Sequence, residues 1–149
     1  VKPSAACFFL VRSSEGMRLK AYKDSGGVLS IGYGHTGPDV KAGQTITMQQ
    51  AEHLLATDIA EAAEAVNRLA LPCAQGQFDA LTDFVFNLGE TAFANSTLLR
   101  KHQLGNFTGA AQEFAKWVHA GGKVLPGLVK RRALEAAMYL GHDLKGLNE

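Results

Sequence analysis

A chain of 149 residues with a formal net charge of +1 and 19% charged side chains has room for one well-buried core, or for two small lobes sharing an element. Its 46% hydrophobic content is that of a folded soluble protein and sets disorder aside. The near-zero charge supplies no field to draw in nucleic acid, although mild basicity is compatible with an anionic polymer. The longest strictly apolar run, residues 5–11, falls far short of the roughly 20 residues a membrane helix needs. With one upstream lysine and Arg12 directly after it, that run is also a poor signal peptide. The sequence starts at Val1 rather than methionine, which is compatible with an upstream segment carrying targeting information. Cys7 and Cys73 are too few for a disulfide framework, and neither sits in a CxxC or Cys/His cluster. Two buried free thiols, or one bridge worth about 4 kcal/mol, are both open readings.

In chain order, residues 4–14 read as a short helix. Ser4 stands where a cap belongs, Ala5, Phe8 and Phe9 share a face, and Gly16 ends it. Glu15 then sits at the helix C-terminus, where the dipole disfavours negative charge and nudges a carboxyl pKa upward, the direction a general acid requires. From 17 to 31 the pattern becomes strand. Leu19, Ala21 and Lys23 alternate with Arg18, Lys20 and Tyr22, residues 25–27 supply a turn, and residues 28–31 return. Glycines at 32, 34 and 37 break the pattern again. Glu15 and Asp24 mean little as two isolated acids. Bracketing a hairpin, with a helix feeding the first and the Ser30 hydroxyl just beyond the turn, they form a candidate acid/base pair.

Residues 47–71 are the longest periodic segment. Thr47 and Gln50 make a capping-box pattern. Ala51, Leu54, Leu55, Ile59, Ala62, Ala63 and Val66 follow at helical spacing, and Pro72 stops the run. Its length suits a strut between a small β lobe and a larger helical one. Helices are then expected over 75–88, from a cap at Asn95 or Ser96 through His102, over 108–119 with Ala111, Phe114, Ala115 and Val118 on one face, and over 126–140. Short connections fit antiparallel or crossing helices.

Glu15, eight residues, Asp24, five residues, Ser30, within EGMRLKAYKD and IGYGHT, resembles the phage-type lysozymes, the peptidoglycan muramidases of T-even and lambdoid phages. Five further segments follow in the family's order: QFDAL at 77–81, FVFNLG at 84–89, STLLRK at 96–101, Trp117 with AGGK at 120–123, and GLVKRR at 127–132 with Glu135. The resemblance covers residues 4–141, and the last three segments are closest to lambdoid members.

The resemblance implies an α+β, mainly α, lysozyme-like fold. It implies one domain over 1–149: a β lobe over 15–46, a connecting helix over 47–71, and a helical lobe over 72–149 packed with the 4–14 helix, with a cleft between the lobes. Glu15 is then the acid that protonates the leaving oxygen, and Asp24 the base that activates water. Ser30 stands where the family has threonine; its hydroxyl can hold the water, but it lacks the methyl that restricts the rotamer. Thr36, Phe86 and Asn87 lie in motifs that face the saccharide; the plain alternatives are a core Phe86 and an Asn87 bonded to backbone. His35 reads as a structural histidine paired with an acid elsewhere, since no Cys or His stands at metal-ligand spacing. Tyr22 and Tyr33 either line the cleft or pack. Arg131 and Arg132 either partner Glu15 or another cleft acid, or form a solvated basic turn.

The expected reaction is hydrolysis, by inversion, of the β-1,4 bond between N-acetylmuramic acid and N-acetylglucosamine in bacterial peptidoglycan, for host-cell lysis. No cofactor or metal is implied. The partner is the glycan strand; nucleic acid and stable membrane contact are not expected, and the chain is expected to be a monomer. It acts in the periplasm, exported through an N-terminal signal-anchor or released by a holin. The rivals are a wall-binding domain with weak or no turnover, and a lytic transglycosylase.

Overall fold

The computed structural model describes residues 1–24 and 26–142. The chain runs α1 (Ala5–Glu15), then β1 (Arg18–Lys23), β2 (Leu29–Gly32) and β3 (His35–Thr36), which form an antiparallel sheet in that order. The remainder is helical: α2 (Met48–Leu69), α3 (Gln75–Leu88), α4 (Glu90–Ala94), α5 (Thr97–Gln103), α6 (Phe107–Glu113) and α7 (Pro126–Tyr139). Between α6 and α7 lie a 3-10 turn (Phe114–Lys116) and a two-stranded ribbon of β4 (His119–Ala120) and β5 (Lys123–Val124). The fold is mainly helical with a small antiparallel sheet.

The strut is α2. Its 22 residues span about 33 Å. The capping box forms as its pattern predicts: Thr47 Oγ1 accepts from Gln50 N–H, and Gln50 Oε1 accepts from Thr47 N–H. The apolar stripe then serves three cores in turn. Ala51 packs with Ile31 of β2 and with Val40 and Ile46. Leu55 and Ile59 pack with Cys7 and Val11 of α1. Ala62, Ala63 and Val66 enter the main core with Phe78, Leu81, Phe84, Phe93, Leu98 and Phe114. Phe84 is the hub of that core, edge-on to Phe93, Phe114 and Trp117 at 6.1, 5.7 and 5.4 Å. At the start of α3, Gly76 is a packing requirement: a Cβ there would collide with the Met138 carbonyl oxygen of α7.

Several local expectations change. Ser4 precedes α1 but does not cap it; its N–H and hydroxyl both go to the Asp79 carboxylate of α3, so a tertiary bond takes the place of the local one. In β1 the pairing register shifts between Arg18 and Tyr22, which interrupts the alternation, and Lys23 is exposed. The helix expected over 108–119 stops at Lys116, Ala115 is exposed, and the chain turns at Trp117 into the β4–β5 ribbon. Both cysteines are free. Cys7 is buried among α1 and α2 residues, while Cys73 lies 3.5 Å from His102 Nε2, and burial pushes its thiol up to about 11.

Candidate active site

Glu15 is the last residue of α1, as expected, and Gly16 (φ +66°) turns the chain straight into β1. Its carboxylate is held from the far end of the sequence: Arg131 Nη1 donates to Oε1 at 2.5 Å. Arg131 is itself buried, and its other edge grips Asp83 of α3 through Nε at 2.9 Å and Nη2 at 2.8 Å. The second Glu15 oxygen lies against the backbone of Gly34, where a Cβ would stand 2.9 Å from Oε2. Gly34 has φ +78°, so both conformation and space require glycine there.

Asp24 is held in another way. Its Oδ1 accepts from the N–H groups of Gly26 and Val28 at 2.8 and 2.9 Å, and its own N–H donates to Val28 O at 2.9 Å. The residue is exposed, and Oδ2 has no bonding partner among the described residues. Asp24 is therefore both a turn-forming aspartate and a carboxylate with one oxygen free.

Ser30 is buried, and its hydroxyl donates a long bond to Val28 O at 3.4 Å. Cross-strand pairing puts it opposite Tyr22 on one side and Thr36 on the other, so these three side chains share a face of the sheet. Thr36 lines a cleft of about 330 Å³ together with Gly34, Asp58 and Glu61 of α2, Phe86 of α3 and Glu90 of α4. Thr36 and Phe86 both line this cavity, and Phe86 also packs on two of the cores. Asn87 is not among the cleft residues; its Oδ1 accepts from Arg132 Nη2 at 2.7 Å. Tyr22 lies under the Arg18 guanidinium, and Tyr33 packs while donating to Glu52 Oε1 at 2.8 Å. Arg12 Nη2 reaches the other Glu52 oxygen at 2.7 Å, so α1, the glycine-rich bend and α2 are bonded together.

His35 finds two acids. Nδ1 pairs with Asp58 at 2.7 Å and Nε2 with Asp39 at 2.9 Å, which ties β3 to α2 at the cleft wall. Burial opposes the charged ring, but the Asp58 and Asp39 bonds outweigh it and hold His35 above its ordinary pKa. The same ring holds Asp39 below the usual carboxylate range. No group of His, Cys, Asp and Glu among the described residues could hold a metal ion.

The charged cluster beneath Glu15 holds the residues that sequence reasoning left out. Asp83 is fully buried between Arg131 and the Arg132–Glu135 pair of α7. Burial works against its charge, yet a bond from Glu135 and the charges of Arg131 and Arg132 hold Asp83 below the usual range. Burial and the Asp83 charge push Glu135 well above it. Glu135 Oε2 accepts from Arg132 Nη2 at 3.2 Å. Arg132 lies over the Phe84 ring, with Nε 2.6 Å from Glu135 Oε1 but without hydrogen-bond alignment. The available signal is a pair of aspartates, 79 and 83, one helical turn apart in a mostly apolar run; acids there need buried partners.

The phage lysozyme family model matches residues 12–135. The chain is 45% identical to an endolysin of Acyrthosiphon pisum secondary endosymbiont phage 1 over 87% of this chain and 92% of that protein. It is 42% identical to the endolysin of Salmonella phage P22, again over 87% and 92%. Against the endolysin of Bacillus phage B103 it is 44% identical over 97% of its own length but spans only 56% of that protein. Among solved structures it is similar to the muramidase domain of SpmX from Asticcacaulis excentricus, with TM-score 0.85 and 40% identity over 93% of this chain and 97% of that one. The chain belongs to the phage lysozyme family, as a glycoside hydrolase of the endolysin muramidase type.

Proposed function

We propose that Glu15 donates the proton to the leaving glycosidic oxygen and that Asp24 activates the attacking water, cutting the β-1,4 bond between N-acetylmuramic acid and N-acetylglucosamine with inversion. The observation that carries this reading is the geometry at Glu15. Arg131 fixes Oε1, while Gly34 leaves room for Oε2 beside the cleft. Asp24 supports it with an oxygen, Oδ2, that has no partner among the described residues. Ser30 holds the water from the face it shares with Thr36, while Thr36 and Phe86 meet the saccharide. Asn87 joins them through a saccharide contact by its amide nitrogen, its oxygen being committed to Arg132. The β lobe, connecting helix and helical lobe work as one unit around this cleft. The chain acts as a monomer on glycan strands in the periplasm.

Clearing of permeabilised Gram-negative cells by the parent and by Glu15→Gln tests the assignment. The variant is expected to lose about 10²- to 10⁴-fold in rate while still folding. Equal clearing by both would refute it and leave a wall-binding role.

A further inference from the structure

We infer that Asp83, which never meets the substrate, is a positioning residue for Glu15, acting through Arg131. The inference rests on Glu15 being the acid. A guanidinium is planar and rigid, so binding one edge fixes the direction of the remaining donor. Here Nε and Nη2 form the bound edge, on the two oxygens of Asp83, and Nη1 is what remains, aimed at Glu15 Oε1. Asp83 sits midway along α3, fully buried on a helix whose residues 77–85 are all buried, so its carboxylate is a fixed reference. Glu15 has no such support of its own: it ends a helix, a glycine follows it, and its side chain is 19% exposed.

Charge makes the arrangement more than a brace. Arg131 alone would pin Glu15 as its counter-ion, a poor state for a proton donor. With Asp83 neutralising the guanidinium, Glu15 gains a positioning hydrogen bond without carrying the whole ion pair. The charged and titratable groups around Asp83 fit that division. Arg132 and Glu135 face it from α7 and Cys7 from α1, with Glu135 bonded to Arg132 rather than to Arg131.

Asp83→Asn tests this: the shape is kept while the charge and one acceptor are lost. On soluble glycan strands, kcat per folded molecule is expected to fall about 10- to 100-fold, with KM within a factor of about two. The alkaline limb of the pH–rate profile is expected to move to lower pH, because Glu15 becomes the only counter-ion of Arg131. Unchanged kcat with an unmoved limb overturns the inference, and so does a loss confined to melting temperature or to the folded fraction. If Asp83→Asn does not fold, Asp83→Glu keeps the charge and displaces the fork by one methylene. The same fall in kcat is then expected with the limb in place, and parental kcat overturns the inference. Glu15→Gln, run alongside, separates the two levels: if it retains activity, the acid assignment itself has failed, whatever Asp83 does.

Discussion

The two proposed catalytic carboxylates are held by opposite means. Glu15 is fixed by a tertiary chain of buried charges that runs through α7 to the middle of α3. Asp24 is fixed by its own turn, through N–H groups two and four residues away, in the open. The contrast matches their chemistry. An acid must present one oxygen to a leaving group in a closed, weakly solvated place, where fixed donors act strongly. A base that recruits water needs one oxygen open to solvent, and a turn supplies that without any core. Damage at the acid should therefore spread into stability, while damage at the base should stay local.

The largest expected effect sharpens this contrast. Asp24→Asn should lower the rate about 10²- to 10⁴-fold. Its amide oxygen can still accept from Gly26 and Val28, so chemical unfolding should move by no more than about 0.5 kcal/mol. Collapse of the fold in this variant would contradict the local account of the turn. Next comes Arg132→Ala, which empties a buried site beside Asn87 and Glu135 and leaves them without their cation. A loss of about 3–5 kcal/mol in denaturant unfolding is expected; a loss below 1 kcal/mol would mean the cluster beneath Glu15 is not structural.

A smaller effect concerns the His35 latch between β3 and α2. Because His35 is raised above its ordinary value of 6.5, its contribution is full below that pH and fades as pH rises through the folded value. The parent should exceed His35→Asn by on the order of 1 kcal/mol at pH 5.5, and by less at pH 8.5. A gap that grows with pH reverses the sign and removes the charged latch. Smallest is Ser30. Replacement by alanine gives up only a 3.4 Å bond, so stability should hold within about 1 kcal/mol while turnover drops several-fold. Ser30→Thr should raise turnover by restricting the rotamer. Parental turnover in Ser30→Ala would take the residue out of the mechanism.

What was legible in the sequence follows the range of the interactions. The stripe of α2 was readable because a 3.6-residue period and a capping box are local, and its residues found three cores without exception at Ala51, Leu55, Ile59 and Val66. The sequence offers Arg131 as a partner of Glu15 or of another cleft acid, or as part of a solvated basic turn, and His35 as a partner of an unnamed acid. Asp83 was missed because its role exists only through Arg131, 48 residues on, and through Glu15 at the other end of the chain. The β4–β5 ribbon was missed for a related reason. Apolar residues at 114, 115 and 118 continue a helical period, but Trp117 packs edge-on against Phe84, and the chain leaves the helix there. Periodicity does not encode a contact made across the core. The two residues of β3 are too few to display alternation at all.

The division of labour between a clamped acid and an open base is tested most directly by the configuration of the first product. Proton NMR of the newly released reducing ends, recorded before mutarotation, is expected to show the α anomer, as attack by an Asp24-activated water on the far face requires. The β anomer would mean retention, and an anhydro-muramic end would mean that no water attacks; either result contradicts the roles assigned to Glu15 and Asp24.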